Sequence, residues 1–467
     1  MRRLAPTLLL ACLLLSACAP TVTLLTREPA ATPTRTLTPE PSATPAPTLI
    51  PGSKLGIGPN ALKDVTISAW HGLDGQDGGL FTQMAAEFSL SNIWGVKVSV
   101  VSQQNMQLLG SAVTSALHTP QAPDLVLGLP EQALAWDAQH SVTDLAPYVA
   151  NTQFGFSPAE LADFPAAFLN QGLVDGKRLG LPAIRTARFL FYNVSFAKQL
   201  GFAAPPQTTD DFRKQACAAN ASWKTDADLT NDGYGGWVLD NPDTDTAAPW
   251  TAYAWLRASA GDIYADGKFK FSTPANQAVL NALAAVHNTG CAWLSSATDN
   301  QDALANRKAI FAAGSLDQLP EQRAAFAASP DQWTVIPFPG QDPSIIAYGP
   351  DYVILKSTEV RQLAAWLFVR WMLSPENQAR WARQTGLFPM RLSAVDQLKD
   401  IRSANPQYAA AIDLLPRART YPQAAAWDKA RLVLGDGFFA MFQASPSTDA
   451  ASPVLDEMDA TLQELKP

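Results

Sequence analysis

The sequence is poor in histidine and cysteine and has no excess of basic residues. It has four histidines in 467 residues, and their spacing matches no zinc motif. A G-x-S-x-G hydrolase motif and a Walker-type phosphate loop are both absent from the sequence. The formal net charge of −8 argues against nucleic-acid binding. No enzyme motif, cofactor site or metal site is therefore predicted. The 13 tryptophans favour a site that works by stacking over one that works by proton transfer.

The N-terminus has the features of an export signal. Met1-Arg2-Arg3 precedes an apolar run, Leu4 to Leu15, that is too short for a permanent membrane span of about 20 residues. The run ends in Leu15-Ser16-Ala17-Cys18, which resembles the lipobox of bacterial lipoproteins. This resemblance implies that residues 1–17 are removed and that Cys18 carries lipid. The alternative is ordinary signal cleavage, with Cys18 incidental.

Residues 18–62 are rich in Pro, Thr and Ala and are predicted to be a disordered linker behind the lipidated cysteine. Together, anchor and linker predict a body that works outside the cytoplasm and stays at the membrane. After Cys12 and Cys18, only Cys217 and Cys291 are left. In an oxidising compartment such a pair favours a disulfide; two separate buried thiols are the alternative.

Strands and helices alternate along the body. Val65–Trp70, Val96–Val101 and Pro123–Gly128 have strand patterns, and the segments between them have helical spacing. Such βαβ units predict a mainly parallel sheet with ligands beyond the carboxyl ends of its strands. Apolar Leu363–Leu373 is predicted to be a core helix.

Several segments, in order, resemble extracellular solute-binding proteins of the maltose-binding type. They are Ser141–Val149 (SVTDLAPYV), Gly176–Asn193 (GKRLGLPAIRTARFLFYN), Phe196–Phe212 (FAKQLGFAAPPQTTDDF), Arg307–Ser315 (RKAIFAAGS), Trp333–Gly340 (WTVIPFPG) and Ala364–Arg391. The resemblance covers nearly everything from residue 65 onward. One departure is Leu316, where the family often has Trp, and it argues against a long oligosaccharide ligand.

The resemblance implies an α/β fold of the type II periplasmic-binding-protein class. Its two lobes would be discontinuous, with residues 63–184 and 337–386 in lobe 1 and residues 185–336 and 387–467 in lobe 2. Three hinge crossings are expected near Ala183–Arg185, Ile336–Pro337 and Gly386–Phe388. The implied function is that of a monomer that captures a small polar ligand, a sugar or oligosaccharide, and delivers it to an ABC permease by hinge closure.

Aromatic and polar side chains at predicted strand ends are the candidate ligand contacts, because sugars need stacking surfaces and hydroxyl partners. The candidates are Trp70, His71, Asp74, Glu131, Trp237, Trp250, Tyr253, Tyr348, Asp351 and Arg391. Arg185 and Arg188, at the first crossing, are additional candidates. Trp70 and Trp237 have a core position as the alternative, and Asp74 a turn-forming role. Glu131 has a helix N-terminal charge as the alternative, and Arg391 a surface ion pair.

Other functions stay open on the sequence alone. A lipid-anchored glycoside hydrolase would need only two carboxylates in a cleft. A binding receptor without a transport role has the same sequence features. Asp226 to Asp232 resembles part of a calcium loop, but Asn231 stands where Gly is expected, so a polar turn is favoured.

Overall fold

The computed structural model of the chain describes residues 57–225, 227–239, 247–295, 301–443 and 446–465. Its strands fall into two sheets and two short hairpins. The strands are β1 Thr66–His71, β2 Lys97–Ser102, β3 Leu125–Gly128, β4 Leu173–Val174, β5 Lys177–Arg178, β6 Leu181–Pro182, β7 Thr186–Asn193, β8 Gly235–Leu239, β9 Tyr264–Ala265, β10 Lys268–Phe269, β11 Ala292–Leu294, β12 Ala309–Gly314, β13 Trp333–Ile336, β14 Ile345–Tyr348, β15 Asp351–Ile354 and β16 Ala418–Arg419.

Helices cover the faces of both sheets. They are α1 Gly75–Ser91, α2 Met106–Ala116, α3 Pro130–Ala138, α4 Ala146–Val149, α5 Pro158–Ala162, α6 Ala166–Gln171, α7 Val194–Gln199, α8 Thr209–Trp223, α9 Ala248–Ala258, α10 Pro274–Asn288, α11 Gln301–Ala305, α12 Leu319–Ala325, α13 Glu359–Met372, α14 Pro375–Thr385, α15 Leu392–Val395, α16 Lys399–Ala404, α17 Pro406–Asp413, α18 Trp427–Gln443 and α19 Ala451–Glu464. Side-chain caps define several starts; Thr208, for example, accepts a hydrogen bond from the Asp211 N–H before α8.

The first sheet has the order β2-β1-β3-β15-β6. Strand β1 pairs in parallel with β2 and β3, as the predicted βαβ units require, whereas β15 runs antiparallel to β3 and β6. The loop after β1 is short, because α1 begins at Gly75. Helices α1, α2 and α3 leave the carboxyl ends of β1, β2 and β3, so their N-termini lie at one edge of lobe 1.

The second sheet has the order β11-β8-β12-β7-β14-β16, and β13 also pairs with β7. Strand β7 is eight residues long, and all but its first residue are buried. It runs antiparallel to β12, β13 and β14, so it forms the centre of lobe 2.

The apolar α13, predicted to be core, buries Leu363 to Val369.

Three chain crossings between the sheets lie side by side. The first joins β6 to β7, and the N–H groups of Ala183 and Ile184 approach the carbonyl oxygen of Pro350 in the second. The third contacts the first through an antiparallel bridge between Phe388 and Arg185. Adjacent crossings of this kind let two lobes rotate about one axis.

The second crossing differs from the sequence prediction. It lies at Gly349–Pro350, not at Ile336–Pro337, because residues 345–348 return to β7 as strand β14 before the chain leaves lobe 2. Residues 337–348 therefore belong with lobe 2. Gly349 has φ +141, and a Cβ there would lie 2.3 Å from the Ile184 carbonyl oxygen. The crossing thus requires glycine at this position.

The predicted linker 18–62 also ends earlier than expected. Ile57 and Leu62 are buried in the core of lobe 1, so the folded body includes residue 57. The predicted signal segment, Cys18 and linker residues up to 56 lie outside the described residues. Within the described ranges, no helix has the length and apolar character that a membrane span needs.

Candidate functional site

A buried ion pair holds the first and second crossings together. The Arg185 guanidinium pairs with Asp351, and each side chain is about 1% exposed. One Arg185 amino group also donates to the carbonyl oxygens of Ile184, Gly349 and Pro350, at 2.8, 3.0 and 2.7 Å. Burial raises the pKa of Asp351, and the Arg185 guanidinium opposes that rise. Asp351, predicted to meet ligand, is therefore a hinge residue whose carboxylate is already paired.

Two of the predicted aromatic residues lie face to face beside the hinge. Trp250, at the start of α9, stacks on Tyr348 with ring centroids 4.4 Å apart and planes 3° from parallel. Trp250 is 9% exposed and Tyr348 is half-buried next to the second crossing. Tyr348 is the partly exposed member of this pair, and a ring of this type suits the apolar C–H face of a sugar.

Two further aromatic residues, which sequence reasoning missed, complete this group. Tyr421 meets the Trp250 ring edge-on at 5.0 Å and stacks on Trp427 at 5.2 Å. Trp427 also packs against Trp250 at 5.5 Å. We call Trp250, Tyr348, Tyr421 and Trp427 the aromatic cluster. Its members come from α9, β14, the loop after β16 and the start of α18.

Glu131 connects lobe 1 to this cluster. The Tyr421 hydroxyl donates to Glu131 Oε2 at 3.1 Å, and both side chains are buried. Burial raises the pKa of Glu131 to about 7, although the Tyr421 hydroxyl bond and Arg431 lower it. Glu131 is thus at the predicted edge of lobe 1, but its carboxyl already has a protein partner.

The end of β1 and the loop after it place three candidates in different environments. His71 is buried, its Nδ1 accepts from the Leu73 N–H at 3.1 Å, and burial lowers its pKa. Its ring also contacts Phe81 edge-on, so it is a core histidine and not a ligand contact. The Trp70 indole N–H donates to Ser68 Oγ, and its ring packs against a small apolar cluster that is separate from the main core of lobe 1. Asp74 is exposed just before α1.

Acidic side chains from both lobes come close together next to this loop. Burial raises the pKa of Asp77, and the neighbouring charges of Asp74 and Asp317 raise it further. Asp317 follows β12 of lobe 2 and accepts from the Thr186 hydroxyl at 3.3 Å. Asp74 and Asp317 are exposed, so their carboxylates are open to solvent between the lobes. Leu316, beside them, is buried.

Trp237 and Tyr253 are core residues of lobe 2: Trp237 has the core position that was its alternative, and Tyr253 differs from the prediction. Trp237 is fully buried against Phe212 and Trp255. Tyr253 is 2% exposed and packs edge-on against Trp427, and burial raises its pKa. In the sequence, aromatic residues inside a strand or on the inner face of a helix look the same as aromatic residues of a ligand site.

The three candidate arginines also have protein partners. Arg391 is buried, donates to Asp163 Oδ2 at 2.7 Å and lies over the Phe164 ring at 4.7 Å. Its guanidinium is therefore buried, whereas its partner Asp163 is partly exposed. Arg188 is buried in lobe 2 and donates to Thr251 Oγ1 at 2.8 Å. With Arg185 at the hinge, none of the three side chains is exposed.

The expected disulfide is present between Cys217 and Cys291, and it joins α8 to the segment that enters β11. In the calcium-like segment, Asp226 lies outside the described residues. Asp228 accepts from the backbone N–H and hydroxyl of Thr230, as a polar turn does. Within the described ranges, no group of His, Cys, Asp or Glu is arranged to hold a metal ion.

Two α/β lobes joined by three adjacent crossings, with aromatic and acidic side chains between them, define a two-lobed binding protein of the periplasmic type. The sequence profile described as bacterial extracellular solute-binding protein matches residues 83–415. The chain belongs to this family, and the resemblance found in its sequence is confirmed. It is an extracytoplasmic solute-binding protein.

Known structures share the fold. The sugar-binding protein MalE from Xanthomonas citri is 18% identical, with a TM-score of 0.72 over 86% of this chain and 98% of that one. The cyclic alpha-maltosyl-1,6-maltose binding protein from Arthrobacter globiformis is 18% identical, with a TM-score of 0.69 over 86% and 99%. UgpB from Mycobacterium tuberculosis, in complex with glycerophosphocholine, is 20% identical, with a TM-score of 0.66 over 85% and 98%.

A sequence relative is described as a probable ABC transporter-binding protein of Deinococcus radiodurans. It is 22% identical over 317 residues, which cover 65% of this chain and 73% of that protein.

Proposed function

We propose that this chain is the substrate-binding component of an ABC importer and captures a sugar or oligosaccharide between its lobes. The observation that carries the proposal is the half-buried ring of Tyr348 beside the second crossing, which the buried Trp250 ring supports from one side. Solvent-exposed Asp74 and Asp317 supply hydroxyl partners from opposite lobes. The MalE and maltosyl-maltose relatives bind sugars, and the Deinococcus relative is described as a transporter-binding protein.

Ligand capture would use the three crossings as a hinge. A ligand that contacts both lobes binds the closed state more tightly than the open one, and so shifts the population towards closure. The Arg185–Asp351 pair keeps the first two crossings in register while the lobes rotate. The closed form would then be the state that an ABC permease recognises.

Membrane attachment is part of the same proposal. Lipid on Cys18, followed by the Pro- and Thr-rich linker, would hold the binding body beside its permease. Two acyl chains give stable anchoring, because each buried methylene contributes about 0.8 kcal/mol. Replacing Cys18 with Ala tests the anchor, because the variant should leave the membrane fraction.

The decisive experiment is a thermal-shift screen of the full-length chain against mono-, di- and oligosaccharides, glycerol phosphates and amino acids. A ligand that binds only the folded state raises the melting temperature by mass action. We expect a shift of several degrees with one sugar class, and the sugar should be recovered intact. Recovery of cleaved sugar would instead favour a hydrolase. A shift only with amino acids or glycerol phosphates would refute the carbohydrate assignment.

Two tryptophan variants locate the site. Trp250→Ala should weaken binding of the identified sugar, whereas Trp237→Phe should leave affinity unchanged, because Trp237 is fully buried away from the cluster. Equal affinity in both variants would remove Trp250 from the site.

A further inference from the structure

The contact between Glu131 and Tyr421 joins the two lobes in a buried environment. Glu131 lies at the start of α3, next to the first sheet, and Tyr421 follows β16 of the second sheet. Glu131 is 5% exposed and Tyr421 is 4% exposed. The hydroxyl-to-carboxyl distance of 3.1 Å is a hydrogen bond, so lobe rotation that separates these elements must break it.

Neighbouring polar contacts also join the two lobes. Gln423 Nε2 donates to the carbonyl oxygens of Asn170 and Gln171, at 2.8 Å each. Amide and backbone groups do not titrate. Burial raises the pKa of Tyr421 far above neutrality, so Glu131 is the member of the Glu131–Tyr421 contact that changes charge near neutral pH.

We propose that Glu131 is a positioning residue and not a ligand contact: when protonated, it holds Tyr421 and the aromatic cluster against lobe 1, and loss of its proton favours lobe opening. The role deepens the proposed function, because it concerns the same interlobe site. Tyr421 contacts both Trp250 and Trp427, so fixing its hydroxyl also fixes the edge of the stacking surface.

The charges around the contact come from α18 and from the hinge. Arg431 favours the Glu131 carboxylate and Asp428 disfavours it, while Arg185 and Asp351 face Tyr421. Burial outweighs them and sets the Glu131 pKa at about 7 in this closed contact. Once opening exposes the carboxyl to water, its pKa should return towards the ordinary value of about 4.3.

The sign of the pH effect follows from these two values. A carboxyl whose pKa is higher in the closed state binds a proton on closure at pH values between the two pKa values. Closure is therefore favoured below pH 7 and becomes weaker as the pH rises through 7. With a closed-state pKa of about 7, the closed-to-open ratio should fall roughly tenfold between pH 6 and pH 8.

The test measures the distance between the lobes in the ligand-free protein. Donor and acceptor dyes on Leu90→Cys and Leu229→Cys label one exposed position in each lobe of the full chain, in a C12A/C18A background. We expect transfer efficiency to fall between pH 6 and pH 8 and to level off above pH 8. Because no ligand is added, the result is independent of whether the protein binds sugar.

Three variants separate a titrating contact from a merely structural one. Glu131→Gln keeps an oxygen acceptor for Tyr421 but cannot titrate, so it should remain closed at both pH values. Tyr421→Phe removes the donor and should lower transfer efficiency already at pH 6. Glu376→Gln alters an exposed glutamate of lobe 1 and should behave like the parent.

The proposal is overturned if the parent does not change between pH 6 and 8, or if E131Q changes as the parent does. Circular dichroism establishes that each variant is folded. If E131Q does not fold, Y421F decides: parent-like transfer efficiency in Y421F at pH 6 also overturns the proposal. Loss of sugar binding with an intact pH response would instead refute only the carbohydrate assignment.

Discussion

Replacing Asp351 with Asn tests whether the Arg185 pair is a structural element of the hinge. The change conserves side-chain volume, so it creates no cavity, but it leaves a guanidinium that is 1% exposed without a counter-charge. Breaking a buried ion pair from one side costs about 3–5 kcal/mol. The amide oxygen and the carbonyl oxygens of Ile184, Gly349 and Pro350 still accept from Arg185, so we expect the lower limit, about 3 kcal/mol.

Urea unfolding followed by circular dichroism measures this loss in the free energy of unfolding. Asp210→Asn is the matched control, because Asp210 pairs with Arg213 and Lys214 on the exposed surface and its removal should cause no measurable change. A loss below about 1 kcal/mol in D351N would place the pair in an environment much more like water than the structure indicates. It would refute the assignment of Asp351 to the hinge and reopen its assignment to the ligand.

The remaining predictions concern the aromatic residues, the disulfide and the anchor. Trp250→Ala should lower affinity for the identified sugar at least tenfold, or about 1.4 kcal/mol by titration calorimetry, and cost about 3 kcal/mol of stability through lost packing. Trp237→Phe should cost about 1–3 kcal/mol in urea unfolding with no change in affinity. Cys217→Ser with Cys291→Ser should cost about 4 kcal/mol, because the bridge closes a loop with a sequence separation of 74; equal stability of reduced and oxidised protein would contradict this. Cys18→Ala should move the protein out of the membrane fraction, and its retention there would rule out the lipid anchor.

Local sequence patterns predicted several of the strands and helices well. The first three strands and the core helix α13 lie within a few residues of their predicted bounds, because periodicity and caps are local signals. The second crossing was misplaced for a physical reason. Residues 345–348 are apolar and could pair in either sheet, and only the register with β7 decides between the lobes.

The site was harder to predict, because burial and partners depend on tertiary contacts. His71 and Trp237 have the composition of a sugar site, yet Phe81 and Phe212 enclose them in the two cores. No sequence pattern marked Tyr421 as a site residue. Its importance comes from Glu131, which lies 290 residues earlier in the chain.

The partners found for the candidate residues change what a ligand can use. The carboxyl groups of Glu131 and Asp351 and the guanidinium of Arg391 are bonded to protein groups. Hydroxyl partners for a sugar must therefore come from other groups, and exposed Asp74 and Asp317 are well placed among the described residues. An anionic ligand beside these carboxylates would meet like-charge repulsion, whereas a neutral polyol would not. The acidic side of the interlobe face thus favours an uncharged sugar over a phosphate ester.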